Sequence, residues 1–481
     1  MKRTIKYYLA GLAIAALVLP GCKKFLDVNE NPNATEKAGE AQILPAVQAS
    51  AAYVTGQYYQ VFGGMWAQYW TQAQTSNQYK TIDSYASTAS DFNTMWSLMY
   101  AGGLSDTDSL ISKRFIKKTE NYAAIGYAMR AYIFQLLTDA FGDIPLKEAL
   151  KGDKNLSPKY DTQKEVYDSI FVWLDRSISL SDPDSDFTPG SDDLIGEGDM
   201  EFWIQFANTL KLRAYMRLSE VDAPRAQAGI SAMYTAGAEF LSTDAKVSYS
   251  TAGGNQNPLY AEMVGLSRVQ NIRASSTAVN QFKANADPRL TKFYTLVGGI
   301  VESTRQGSFD TTNTERPLSR PSPLLGGDAR TDVSASAPVK LISEAESYFL
   351  QAEAAARSWG TGNAQALYEA GIRASFAAYG LTPANANTYI AGAGKWPGGT
   401  VAAQVKAIIT QKYFAMCGNQ SFEAWSEYRR TGFPDFLVDS YASVLPAGVK
   451  PARFLYPQTE QTRNANYPGN KKIDEKVWWD K

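Results

Sequence analysis

The chain has 481 residues, with 47 Lys and Arg against 48 Asp and Glu, a formal charge of −1 and no basic block along its length. It contains no histidine, which excludes Ser-His-Asp and Cys-His catalysis, histidine-ligated zinc and imidazole acid–base chemistry near neutral pH. Balanced charge gives no electrostatic footprint for nucleic acid, while chemistry carried by two carboxylates stays open.

At the N-terminus Lys2, Arg3 and Lys6 precede an apolar run from Tyr7 to Leu19 and then Leu19-Pro20-Gly21-Cys22. Cationic start, short apolar stretch and small residue before the cut have the layout of a secretory signal peptide, too short for a finished membrane span. Gly21-Cys22 reads as a lipobox, with Cys22 diacylated as the first mature residue; Pro20 departs from the usual small or aliphatic residue there. Each buried methylene of such a lipid contributes about 0.8 kcal/mol, so two or three chains hold firmly. Residues 1–21 are therefore expected to be removed, 22–40 to be a polar tether, and 41–481 to form a single domain. Loss of Lys2, Arg3 and Lys6 takes the net charge to −4. Of two cysteines only Cys417 then remains, so no intramolecular disulfide is expected, and Ala415-Met416-Cys417 suits a packed helix with an inert thiol.

Helical periodicity dominates from residue 41. Residues 41–72 are rich in Ala, Gln and aromatics, and 91–115 carry Phe92, Met95, Trp96 and Met99 at three- and four-residue steps. Residues 121–139 place Ala124, Ala128 and Ala131 on one face, where small side chains admit a neighbouring helix. Thr162-Gln163-Lys164-Glu165 is a capping box opening a helix through Trp173. Further helices are expected over 201–219, 343–357, 364–378 and 402–429, the last stopped by Gly432 and Pro434. The pair around Gly360–Asn363 has about the length of a tetratricopeptide unit. Between these lie an acidic stretch at 181–199, a polar one at 245–275 and a Ser-, Gly-, Pro- and Arg-rich one at 297–338, with Tyr294–Glu302 as a short strand or hairpin. Loops this long in a compact domain carry function or are disordered. The fold class is mostly α: tetratricopeptide-like helical pairs, scaffold at 41–240 and 340–435, with a long-loop, irregular portion at 241–339 inserted between them.

With 28 Tyr, 21 Phe and 10 Trp, aromatic surface is plentiful, and rings with polar tips serve both helix packing and stacking on sugars or peptides. The densest cluster runs from Tyr58 to Trp70. Trp66 and Trp70, four apart, suit a core stripe more than a ligand platform. Asn77, Gln78 and Tyr79 fall in a loop and are better placed to touch ligand, together with Trp96 further on. Arg268 and Arg273, flanking Gln270-Asn271, form a second candidate group, although a solvated loop is the plainer reading. Asp182, Asp184, Asp186 and Asp193 have part of a calcium-loop spacing, but Phe187 stands where the turn needs Gly and Pro189 interrupts it; a solvated acidic loop is the stronger reading. No catalytic residue, metal or cofactor is expected.

An ordered set of segments carries a family resemblance. It begins with Phe25-Leu26-Asp27-Val28-Asn29 and Leu137-Thr138-Asp139-Ala140-Phe141-Gly142-Asp143-Ile144-Pro145-Leu146, then Pro158–Gln163, Trp203–Arg217 around Asn208-Thr209-Leu210-Lys211-Leu212-Arg213, and Asp287-Pro288-Arg289-Leu290. Glu346–Ala355, Tyr368–Arg373, Phe422–Pro434 and Tyr456-Pro457-Gln458 complete it. Singly, each has a structural reading: Gly142 and Pro145 end a helix, Asp287-Pro288 is an N-cap with proline at N1, and Arg429 and Arg430 are cations at a helix C-terminus. Together they resemble the SusD/RagB family of nutrient-binding outer-membrane lipoproteins, in its SusD-like branch. The resemblance implies a helical body with tetratricopeptide-like units, an oligosaccharide or peptide cargo, and a SusC-like TonB-dependent barrel transporter as partner. Three functions follow: a non-catalytic capture lipoprotein, a lipid-anchored glycoside hydrolase using two carboxylates, and, more weakly, a structural assembly lipoprotein.

Overall fold

A computed structural model describes residues 39–74, 76–112, 118–310 and 317–481. The expected signal peptide, Cys22 and nearly all of the expected tether lie outside the described residues. The helices with the strongest local signals form where those signals stand. Thr162 and Glu165 cap each other reciprocally, and the helix they open, Gln163–Leu180, runs past Trp173 to Leu180. It packs along Glu120–Phe141, whose Ala124, Ala128 and Ala131 are fully buried. Gly142, at φ +78°, stops that helix, and Pro145 lies in a two-residue strand paired antiparallel with Tyr160–Asp161. Helices Glu344–Ala356 and Ala364–Ala378 form the expected pair. They approach so closely that a Cβ on Gly371 would stand 2.8 Å from the Phe349 ring, which is why glycine occupies that helical position.

Two expected helices are broken. The 402–429 stretch divides into Val401–Ala415 and Ser421–Thr431, parted at Gly418 with φ +70°. Residues 41–72 give Glu40–Val54, a π-type turn at Thr55–Tyr59, Gln60–Trp66, and then a strand, Trp70–Gln72. That strand pairs antiparallel with Ile272–Ala274, in the register Trp70↔Ala274, Thr71↔Arg273 and Gln72↔Ile272. The partner lies some 200 residues away, so helical periodicity in 41–72 could not reveal it. Within the loop-rich portion, Val297 and Ile300 bridge antiparallel around Gly298 and Gly299, both at positive φ, giving Tyr294–Glu302 a tight hairpin turn.

The helices meet around buried charge. Arg217, from Met200–Arg217, is fully buried and donates to Asp139 (3.2 Å), Glu423 (2.6 Å) and Glu427 (2.9 Å). Lys412 lies within 3.3 Å of Glu346, 3.5 Å of Glu423 and 3.3 Å of Glu427. Arg430 donates to Glu353 (2.7 Å), Glu427 and the Ser219 hydroxyl (2.8 Å). Burial works to raise the Glu427 pKa, but Arg430, Lys412 and Arg217 outweigh it and hold the carboxyl well below its ordinary range. For Glu423 burial prevails over its cations and the shift is upward. Arg429 lies between the Trp425 and Trp479 indoles, 3.6 and 4.5 Å from their centroids, and donates to the carbonyls of Asp139 and Ala452. Burial pulls its pKa down to about 10.

Arg429 and Arg430 do occupy the last turn of Ser421–Thr431. Their guanidinium groups are committed to other segments rather than to solvating the end of their own helix. Asp287 likewise does more than cap: its Oδ1 accepts from the Arg289 N–H, and its carboxylate pairs with the fully buried Arg289 guanidinium at 2.6 Å. Beside this network sits an aromatic core centred on Phe454, whose ring lies 5.0–5.8 Å from those of Tyr59, Phe62, Trp66, Phe92, Phe141, Phe422 and Trp425.

Removing one member of a buried ion network strands its partners in a medium that solvates them poorly. Arg430→Ala is therefore expected to lower unfolding free energy by about 3–5 kcal/mol in urea melts. Lys406→Ala, which removes the exposed Lys406–Asp435 pair and the ammonium's contact with the Phe433 ring, is expected to change it by less than about 1 kcal/mol. Equal effects of the two substitutions would refute the structural weight given to the network.

Candidate ligand-binding site

A surface cleft of about 210 Å³ opens between the first helical segments and the loop-rich portion. Its construction begins with Asp83, which is fully buried and accepts from the Thr71 hydroxyl (2.7 Å), the Gln72 amide N–H (2.8 Å) and the Gln306 side chain. Gln72, on the strand, staples the loop that follows. Its Oε1 accepts from the Tyr79 N–H (2.7 Å), and its Nε2 donates to the Ser76 carbonyl and hydroxyl (3.0 and 2.8 Å). From the other strand's approach, Asn271 Oδ1 accepts from the Gln78 N–H at 3.3 Å, and Asn271 Nδ2 donates to the Arg268 carbonyl at 3.1 Å. The antiparallel ribbon thus brings two loops, near residues 78 and 268, to the same place.

Glu262, in the π-type turn Ala261–Gly265, is the centre of the cleft's polar wall. Its Oε1 accepts from the Tyr79 hydroxyl (2.7 Å) and from Arg268 (2.5 Å), and its Oε2 from Gln57 Nε2 (2.9 Å). Ser267, at φ +57°, turns the chain ahead of Arg268, a left-handed conformation that costs a non-glycine residue about 1 kcal/mol. Burial, and then the Glu262 charge, push the Tyr79 phenol far above its usual pKa, so it remains a donor. Burial opposes the Arg268 charge, but its hydrogen bond and ion pair with Glu262 prevail and raise its pKa. The remaining lining includes Tyr58, Val61, Gln78 and Asp91.

Of the residues singled out in the sequence, Gln78, Tyr79 and Arg268 line this cleft together, and Asn77 stands exposed at its edge. Trp66 lies beneath it: the indole N–H donates to the Ile82 carbonyl at 3.0 Å, and the ring packs on Phe62, Trp425 and Phe454. Trp70 is fully buried, so close to the chain that a Cβ on Gly64 would stand 2.4 Å from its ring. Neither indole offers a face to solvent, and both belong to the core under the cleft. Arg273, on the strand, donates to the carbonyls of Val269 and Ile272 (both 3.2 Å) and lines a different pocket with Leu296 and Arg320. Trp96, expected to be placed for ligand contact, is buried as well, its ring edge-on to Phe141 in the core, and it reaches only the floor of a third pocket beside Tyr100.

Sequence reading missed Gln57, in a helical run, and Glu262, in the polar stretch 245–275, because neither setting distinguishes a cleft-lining polar residue from a solvated one. Asp193, read with the acidic loop, is buried. It accepts from Gln48 (2.7 Å), the Trp203 indole (2.7 Å) and the N–H groups of Ile195, Gly196 and Gly198, so it organises its loop rather than being solvated in it. Among the described residues no cluster of three or more Asp, Glu or Cys is arranged to hold a metal ion, and no helix is long and apolar enough to cross a membrane.

The molecule is thus a helical scaffold holding a loop-built polar cleft over its packing core. Residues 32–457 match the SusD-like family described as starch-binding and associating with the outer membrane, and the chain belongs to that family. No curated protein sequence matches it. Among solved structures it is similar to a protein named as chitin-binding, at 27% identity over 92% of this chain and 100% of that one, with a TM-score of 0.77. A chitin-binding SusD homologue from Flavobacterium johnsoniae superposes with a TM-score of 0.74, at 23% identity over 91% and 98% of the two chains. A SusD homologue from Bacteroides uniformis gives 0.77, at 23% identity over 91% and 99%.

The Asp83 anchor carries a pH signature. Its hydrogen bonds come from neutral groups, and burial outweighs them, raising the carboxyl to about 6. An unfolded Asp titrates near 3.9, so between those values the folded chain binds the extra proton. Its contribution to stability is full below about pH 4, declines as pH rises to about 6 and is level above; the span is at most about 3 kcal/mol. Asp83→Asn is expected to flatten the dependence of Tm on pH between 4 and 6. An unchanged slope would show that another group sets it.

Proposed function

We propose that this protein is a non-catalytic, lipid-anchored outer-membrane receptor that captures an oligosaccharide at the cell surface and delivers it to a SusC-like TonB-dependent barrel transporter. The observation that carries this reading is the Gln57–Tyr79–Glu262–Arg268 constellation. Three donors from three separate segments fix one carboxylate, leaving a preorganised wall beside the exposed Gln78. Sugars are recognised by such walls: amides, a guanidinium and a carboxylate meet hydroxyl or acetamido groups while an aromatic face meets the ring. Glu262 accepts from all three donors, an arrangement suited to holding a ligand rather than to delivering a proton to a glycosidic oxygen. Family membership supports the nutrient-binding role and the outer-membrane setting. The chitin-binding relatives make chito-oligosaccharides the first ligands to try.

Calorimetric titration with chitohexaose, maltohexaose and a hexapeptide tests the reading. Binding of an oligosaccharide that is recovered intact is the expected result; cleaved sugar, or binding of peptide alone, would overturn it. Arg268→Ala and Tyr79→Phe are each expected to weaken binding about tenfold, equivalent to about 1.4 kcal/mol. The anchor has its own test. Cys22→Ala should move the protein from the membrane fraction to the soluble fraction, and intact-mass measurement of the native protein should find acyl chains on Cys22. An unmodified thiol there would refute lipid attachment.

A further inference from the structure

The stretch Ala89–Ser97 carries Asp91 into the cleft just described and, five residues further on, Trp96 into a separate pocket of about 360 Å³. We propose that this pocket is a second carbohydrate subsite, taking a neutral pyranose unit of the same glycan chain; the proposal rests on the capture reading above.

Trp96, only 6% exposed, forms the floor of the pocket and the half-buried Tyr100 its wall, their ring centroids 4.8 Å apart, with Tyr160 stacked behind Trp96 at 6.4 Å. The Tyr100 hydroxyl donates to the Pro145 carbonyl at 2.8 Å, fixing that wall. Facing it is the loop containing Leu150 and Gly152. Leu150 is held at φ +61°, a left-handed conformation that costs a bulky residue about 1–2 kcal/mol and persists where the surroundings enforce it, often beside ligands. Lys151 and Asn155, at either end of the turn in that same loop, and Glu460, from the helix Gln458–Arg463, add polar groups. Glu460 is held in place by the Tyr160 hydroxyl (2.7 Å) and Asn464 Nδ2 (3.0 Å). Apolar walls for the C–H faces of a sugar, with an amide, an ammonium and a carboxylate for its hydroxyls, are the requirements of a pyranose site, and the volume falls in the range of small-molecule pockets. One cation against one anion favours a neutral ring over a uronate.

The first cleft and this pocket share one short stretch of chain, and the backbone N–H of Thr459, next to Glu460, donates to Asn93 Oδ1 within it at 3.1 Å. Asp91 and Trp96 are separated by about 8 Å along that stretch. A longer glycan engages both places and gains affinity by linkage, which a disaccharide cannot do.

The test is the gain in affinity from two to six sugar units, measured by titration with chito-, malto- and xylo-oligosaccharides. Ala101→Trp fills the pocket from an exposed rim position, and Leu150→Gly removes a wall while relieving the left-handed strain, so one of the two stays folded if the other fails. Each is expected to cut the chain-length gain at least fivefold. A gain unchanged in both, with Arg268→Ala still weakening binding, would overturn the second subsite and leave the capture reading standing. Loss in the pocket variants with Arg268→Ala silent would keep the pocket and refute the first cleft. No binding of any of these glycans would refute both.

Discussion

The fold depends on pairing buried cations with buried carboxylates. Arg217, Lys412 and Arg430 reach Asp139, Glu346, Glu353, Glu423 and Glu427 across five helices spread from residue 120 to residue 431. Apolar packing tolerates small shifts between helices; ion pairs in a dry interior do not, because a displaced partner leaves a charge uncompensated. The network therefore sets the relative positions of the helical pairs more strictly than their alanine and aromatic faces could. The loops that form the cleft are mounted beside that frame: Gln57 lies in the turn between Glu40–Val54 and Gln60–Trp66, the latter packed on Ser421–Thr431 of the network, and Tyr79 and Arg268 hang from the ribbon that follows.

What could be read in the chain was what is decided locally. The Thr162–Glu165 cap, the Ala124–Ala131 face and the Gly142 stop each involve residues within a turn or two of one another, and each took the form its neighbours imply. Four of the nine segments that carry the family resemblance hold residues of the buried network: Asp139, Arg213 (paired with Glu346 at 3.5 Å), Arg217, Glu346, Glu353, Glu423, Glu427 and Arg430. Read singly, Arg429 and Arg430 suggested helix-end cations, because a helix terminus is visible in a sequence and a carboxylate on a helix some 80 residues earlier is not. The break at Gly418 had a local cue in Gly418-Asn419 that the helical periodicity around it overrode, whereas the turn at Thr55–Tyr59 and the strand at Trp70–Gln72 answer to partners elsewhere in the molecule.

The cleft was legible in part for the same reason. Gln78, Tyr79 and Arg268 stand in polar loops and were singled out as such. Their convergence on Glu262 follows from a three-residue ribbon that only the folded chain reveals. Trp66 and Trp70 illustrate the opposite limit: aromatic residues at helical spacing look alike whether they face cargo or core, and here they support the cleft from beneath.

Phe454 has a consequence for how the molecule comes into being. It is the ring on which the aromatic centre converges, yet Tyr59, one of the rings it meets, stands nearly four hundred residues earlier in the chain. Contacts of such long sequence separation reward the chain only after large loops have closed, so the centre of the interior is set late in folding, after the local helices.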